Sequence, residues 1–210
     1  MDDISLALNP PQFVKRRSNK APIHISRSSS PVWPLAALNG REPVVLNTIS
    51  KSVRGIELAY PRSDATDAAV NCPPGTPNGT DKHVMPHMTS VLTIDDGEIM
   101  FAGRHGHGYG IIINHNNGWA SYYAHLEAIV AIRTDLYRPR AQYVRAGDAI
   151  GYVGAPSPGQ FKRLYFELWQ LDRSNLFAPV DPRARLAESK LLQHYDHFTP
   201  APPTAQKEAA

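Results

Sequence analysis

The chain has 210 residues, 42% of them hydrophobic, with a formal net charge of +3 and a pI near 9.0. That length suits one domain of ordinary size with tails, able to bury a core without disulfide or metal staples. The single cysteine, Cys72, excludes an intramolecular disulfide framework and any multi-cysteine zinc site, and among Pro73, Pro74 and Gly75 it reads as a loop thiol.

Residues 1–30 read as a flexible basic arm. Lys15, Arg16, Arg17, Lys20 and Arg27 are spread among Pro11, Pro22 and the Ser28-Ser29-Ser30 run, with few apolar side chains to bury. Asp2 and Asp3 stand where a secretion signal needs positive charge, and no apolar run of signal or transmembrane length follows. The expectation is a chain without a signal peptide or membrane insertion, cytoplasmic as made. Its mild positive charge favours anionic surroundings, but no basic stripe interleaved with aromatics argues for nucleic acid.

The folded domain is expected over residues 31–198. Residues 61–87 are rich in Pro, Asn and Asp without periodicity, which predicts a long surface loop insertion. From Val91 the pattern is β. Val91 to Ile94 reads as a strand, Asp95-Asp96-Gly97 as a turn and Glu98 to Ala102 as the returning strand. Ile111 to Asn114 is a β-branched run, and Asn117-Gly118 signals a type I′ hairpin turn. Trp119 to Ala124 alternates, with Trp119, Ser121 and Tyr123 on one face and Ala120, Tyr122 and Ala124 on the other. Val144 to Gly154 folds back at Ala146-Gly147-Asp148, and Arg163 to Leu171 is the last clear strand. Short strands at this spacing predict an all-β antiparallel sandwich or open barrel.

One late helix is expected from Arg183 to His194, started by Asp181-Pro182 and with Leu186 and Leu191 on its buried face. His194 and His197 read as plain surface residues. Residues 199–210, rich in Pro and Ala, read as a disordered tail.

Five landmarks recur in order: Gly-Glu-Ile-Met-Phe-Ala-Gly at Gly97 to Gly103, Tyr-Gly-Ile-Ile-Ile-Asn-His at Tyr109 to His115, Tyr-Tyr-Ala-His-Leu at Tyr122 to Leu126, Val-Arg-Ala-Gly-Asp-Ala-Ile-Gly-Tyr-Val-Gly at Val144 to Gly154, and Arg-Leu-Tyr-Phe-Glu-Leu at Arg163 to Leu168. In this order they resemble the core of lysostaphin/LytM-type zinc metallopeptidases, which cut peptide cross-links in bacterial cell walls. Trp33-Pro34-Leu35 followed by Asn39-Gly40-Arg41 is similar to the lead-in of a phage- or prophage-associated branch.

The resemblance implies a zinc ion held by a His and an Asp four residues apart and by the second His of a late His-Leu-His-Phe-Glu segment. Three protein ligands leave a fourth position for a water whose pKa the ion lowers towards ~7. Onto those positions this chain maps Val53-Arg54-Gly55-Ile56-Glu57 and Arg163-Leu164-Tyr165-Phe166-Glu167. Val53 has no lone pair, Glu57 replaces Asp with a longer arm, and Tyr165 replaces the second ligand His. Arg163 replaces a catalytic His with a permanent cation that cannot act as a base near neutral pH. His125 alone of the catalytic pair is retained.

The expected outcome is a peptidoglycan-directed domain whose zinc site has decayed, with no cofactor, acting as a non-catalytic binding or regulatory module. Its groove is expected to be lined by Glu57, Tyr123, His125, Arg163, Tyr165 and Glu167, with Arg163 meeting the carboxylates of peptidoglycan stem peptides; a cell-envelope protein is the other expected partner. Such a target would be reached after lysis, from a phage particle or through a dedicated secretion device. Two alternatives stay open. One is an active zinc endopeptidase with a rebuilt metal site drawing on His83, His87, His105 or His107, and the other is a structural or assembly protein of a phage or mobile element.

Overall fold

The computed structural model describes residues 30–38, 40–47, 49, 54–63, 75–130 and 142–193. The basic arm up to residue 29, the C-terminal tail, residues 64–74 of the expected insertion, Cys72, Val53, His194 and His197 lie outside the described residues.

Among the described residues eleven strands form in chain order: β1 (Val44–Val45), β2 (Ile56–Pro61), β3 (His83–Val84), β4 (Ser90–Leu92), β5 (Gly97–His105), β6 (Gly108–Asn114), β7 (Trp119–Ile129), β8 (Tyr143–Val144), β9 (Ala149–Val153), β10 (Leu164–Leu171) and β11 (Phe177–Val180). Every pairing among them is antiparallel. The main sheet runs β1-β2-β10-β7-β6-β5-β8. β7 pairs with β6 along one edge and is long enough to serve two partners along the other: Trp119 to Ala124 pair with β10, whereas Leu126 to Ile129 pair with β9, which carries β4. That division folds the sheet over one core. Ile56, Leu58, Ile111, Ile113, Tyr123 and Phe166 of the main sheet pack there with Val91, Ile94, Ile150 and Val153 of the β4–β9 side. The architecture is the all-β antiparallel fold expected from the strand spacing.

A polar chain runs through the buried interior beside the β4–β5 turn. His115 Nδ1 lies 3.0 Å from the carbonyl of Asp96, and its Nε2 lies 2.8 Å from Ser121 Oγ. A carbonyl can only accept, so Nδ1 carries the proton and Nε2 accepts from the serine. Ser121 Oγ lies 3.1 Å from the Tyr123 hydroxyl, which accepts the backbone N–H of Ile94 at 2.9 Å. This chain ties three segments together, the β4–β5 turn, the end of β6 and β7, with every member satisfied.

Three local expectations are corrected. The late helix, α1, covers only Pro182–Ala187; Asp181 caps it by accepting from Arg183 N at 2.9 Å. Beyond it, Lys190 N donates to Pro31 O, and Ala37 N donates to Leu192 O, so residues 190–193 run beside the entry segment. Backbone pairing across the domain outweighs the local helix preference of 188–193, and Leu191 has no helix face to occupy. The β6–β7 loop is not a two-residue Asn117-Gly118 turn. His115 N donates to Trp119 O, leaving Asn116, Asn117 and Gly118 between, with positive φ at Asn116 and Gly118. In the expected insertion, β3 pairs with the end of β2, and Val84 and Met85 are fully buried. No helix among the described residues is long and apolar enough to cross a membrane.

Replacing His115 by Leu removes two hydrogen bonds, to the Asp96 carbonyl and to the buried Ser121 hydroxyl. The expected loss is about 2–4 kcal/mol of unfolding free energy, read as a lower urea midpoint at unchanged slope.

Candidate functional site

Strand β10 sits between β2 and β7, and Tyr165 pairs with Glu57 on one side and Ala124 on the other. Paired residues share a face, so Glu57, Tyr165 and Ala124 form one row across the sheet. Arg163, Glu167 and Trp169 follow at two-residue intervals on that face, while Leu164, Phe166 and Leu168 turn into the core.

Two features press the start of β2 onto this row. A Cβ at Gly55 would lie 2.6 Å from Phe166 O, 2.8 Å from Glu167 Cγ and 2.9 Å from Tyr165 Cζ. Only glycine permits that approach. Asn47 then pins the backbone: its Oδ1 accepts Glu57 N at 2.6 Å, and its Nδ2 donates to Gly55 O at 3.1 Å.

Glu57 Oε1 lies 2.7 Å from Arg163 Nε, with both side chains 22% exposed. The N–H is not aimed at the carboxylate, and Nε makes no aligned hydrogen bond, so the contact is an ion pair. Arg163 Nη1 donates to Phe161 O at 3.1 Å. Next along the strand, the Tyr165 hydroxyl donates to Glu167 Oε1 and Trp169 Nε1 donates to Glu167 Oε2, each at 2.6 Å. Both oxygens of this buried carboxylate are therefore held by neutral donors. Burial, with the Glu167 charge beside it, pushes the Tyr165 phenol far above its ordinary range, and it stays protonated.

His125 has φ +61°, a left-handed backbone that few non-glycine residues adopt. Register shifts surround it, between the Tyr109 and Ile111 pairs of β6 and between Leu126 and Ala128 against β9. Strict alternation after Ala124 would turn residue 125 into the core. The irregularity instead brings its ring to the Tyr165 side, with centroids 5.5 Å apart. Gly154 N donates to His125 O at 2.6 Å, and Arg163 N donates to Gly154 O at 3.1 Å, so one glycine ties the two backbones together. Burial, then the Arg163 charge, lowers the His125 pKa to about 4; the Arg163 carbonyl pulls weakly the other way, and His105 adds to the lowering. At neutral pH this imidazole is uncharged, and its Nδ1 is buried without a hydrogen-bond partner among the described residues.

Of the residues expected to line the groove, Glu57, His125, Arg163, Tyr165 and Glu167 come together. Tyr123 does not. It is fully buried on the opposite face, packed on Phe166, and burial raises its phenol pKa to about 12. Its neighbour Tyr122 takes the site side, stacked on Trp169 at 5.9 Å, edge-on to Tyr165, and with its hydroxyl 2.8 Å from His105 Nδ1. Alternation had placed Tyr122 with Ala120 and Ala124, so the signal was present; the landmark Tyr-Tyr pair hid which ring mattered. Asn47 carried no sequence signal, because its role is a backbone contact across a loop. His83 lies in β3, His87 and His107 are exposed, and His105 rests on Tyr122. Among the described residues, no group of three or more His, Cys, Asp or Glu side chains converges as a metal site.

The pattern of peptidase family M23 matches residues 76–182, half of the chain, and the chain belongs to that family. Cell division protein DipM of Caulobacter vibrioides is 34% identical over 101 residues, covering 46% of this chain and 15% of DipM. The DD-carboxypeptidase/endopeptidase Mpg of Neisseria meningitidis is 36% identical over 87 residues, covering 40% of this chain and 18% of Mpg. This chain thus spans under a fifth of the length of these relatives. Among solved structures, a protein assigned as the glycyl-glycine endopeptidase lytM of Ruminococcus gnavus superposes with a TM-score of 0.51 at 18% identity, covering 78% of this chain and 62% of that one. The fold is of the LytM type.

Two measurements probe the geometry. Gly55→Ala should lower the melting temperature by several degrees and loosen the Glu57 contact, because its Cβ meets rigid backbone at Phe166. The second concerns pH. The folded state holds His125 neutral, with a pKa near 4 against ~6.5 unfolded, so its stabilisation is complete above ~6.5 and is lost as pH falls towards 4. Melting temperature should drop across that window, and it should drop less in His125→Gln.

Proposed function

We propose that this chain is a peptidoglycan-directed member of the M23 family in which recognition has replaced hydrolysis. The observation that carries this reading is the ion pair between Glu57 and Arg163, made where the resemblance expects a metal ligand and a catalytic histidine. A guanidinium stays charged at any physiological pH, so it can neither take a proton from water nor share a small space with Zn²⁺ without strong repulsion.

The donor set does not fit zinc. Glu57 already answers a cation, and Tyr165 is a protonated phenol whose hydroxyl is committed to Glu167. Imidazole, thiolate and free carboxylate are the groups zinc selects; among the described residues His125 is the one imidazole in ring contact with Tyr165, and His105 Nδ1 lies against the Tyr122 hydroxyl. No hydrolytic step is therefore derived through a metal. What the site keeps is a shaped, polar sheet face built on rigid strands, a sound platform for binding.

The relatives' roles, in cell division for DipM and as carboxypeptidase and endopeptidase for Mpg, support the bacterial envelope as the setting. The partner class proposed is the peptide portion of peptidoglycan, or an envelope protein that presents a similar peptide.

Two measurements test the reading. Purified under metal-free conditions and then offered zinc, the chain should retain far less than one ion per molecule after washing, and chelator should leave its melting temperature unchanged. It should co-sediment with purified cell-wall sacculi without releasing soluble fragments. One tightly held zinc per chain, with chelator-sensitive release of wall peptides, would overturn the proposal.

A further inference from the structure

The polar groups of the site differ in how much of their bonding capacity is already used, and that difference selects a ligand. Both acidic side chains are spent. Glu57 is paired with Arg163, and Glu167 is nearly buried with each oxygen held by a neutral donor. Arg163 is not spent. A guanidinium carries five N–H donors, yet among the described residues it donates one aligned hydrogen bond, from Nη1 to Phe161 O, and Nη2 donates none. His125 adds a ring with a buried nitrogen that has no partner. The Tyr165 ring closes one side of this pair, 5.5 Å from the imidazole.

We propose that Arg163 and His125 form a carboxylate-binding subsite, in which the free edge of the guanidinium grips a peptide carboxylate and Glu57 tethers the other edge. This inference rests on the recognition reading above and names its ligand chemistry: an anionic carboxylate, not the neutral internal amide that a peptidase would engage. The tether matters because an arginine fork binds well only when it is already in place: the Glu57 ion pair at Nε holds the charged group, and the hydrogen bond from Nη1 to Phe161 O orients it before a ligand arrives. Asn47, by holding Glu57 N and Gly55 O, is a positioning residue for the tether. An amine ligand is disfavoured, since among the described residues no unpaired acidic group of the site faces it.

Peptide carboxylates come from two sources, a chain end and an acidic side chain. Three probes separate them: N-acetyl-Ala-Ala with a free C-terminus, the same dipeptide as its C-terminal amide, and N-acetyl-glutamate α-amide, whose only carboxylate is on the side chain. Titration of each into the full chain, followed by amide chemical-shift changes, gives relative affinities. The free acid should bind at least ten-fold more tightly than its amide, and the glutamate probe reports whether a side-chain carboxylate serves equally. Arg163→Met should abolish the acid-over-amide preference, and Arg163→Lys should keep only a fraction of it, because the charge remains but the fork is lost. Asn47→Ala should weaken the acid while leaving the amide unchanged. Equal binding of acid and amide by the wild-type chain overturns the subsite, and so does a preference that survives in folded Arg163→Met. Sacculus binding separates the two proposals. If wild type and Arg163→Met sediment alike, the subsite fails and the wall-recognition reading stands. If the acid preference holds but no sacculus binding occurs, that reading fails and the subsite stands.

Discussion

Strand β10 is hydrogen-bonded on both flanks, and everything at the site follows from that. Its register to β2 sets Tyr165 opposite Glu57, and its register to β7 sets the same residue opposite Ala124. A slip of one residue in either ladder would exchange the two faces of the strand, sending Phe166 outward and Tyr165 into the core. The core prevents it. Leu164, Phe166 and Leu168 are buried against Leu58, Tyr123 and their neighbours, so a slipped strand would lose three large apolar side chains at once. The order of polar groups along the outer face is thus enforced from the inner one.

On that face, charge is handled in two ways. The exposed end uses an ion pair, Glu57 with Arg163, where partial contact with water keeps the cost of desolvation low. The covered end uses a carboxylate with no cation at all, Glu167, whose two oxygens each take a short hydrogen bond from a phenol or an indole. Tyr122, stacked on Trp169, shields that arrangement from solvent. The result is a gradient from a wet, charged end to a dry, aromatic one along a single strand. The left-handed turn at His125 sets an imidazole against the charged end, and Gly154 fixes its backbone to that of Arg163. Backbone strain of this kind persists only where the surroundings impose it, and here two register shifts and a glycine contact do so.

Much of this was legible in the chain itself. The alternation of Trp119 to Ala124 already divided the sheet faces. The substitutions at Glu57, Arg163 and Tyr165 could be read because short landmarks flank them on strands of fixed period. Where reading failed, the deciding contact was distant. Residues 188–193 have local helix character, but hydrogen bonds from Lys190 to Pro31 and from Ala37 to Leu192 claim that backbone first. Tyr123 and Tyr122 were separated in the alternation, yet only the core packing of Phe166 reveals which ring is inside.

By itself, then, the order of residues determined the all-β class, most strands between Val91 and Leu171, and the chemical identity of the groups at the site, because those depend on period-two patterning and on side chains with or without lone pairs. Tertiary structure alone decided that Glu57 meets Arg163, that Glu167 is capped by Tyr165 and Trp169, and that His125 turns outward. The Glu57 and His125 contacts join segments roughly forty to one hundred residues apart, whereas Glu167 is capped from two residues away on its own strand and owes its burial to the sheet around it. Their geometry is set by register and packing, which no local pattern encodes.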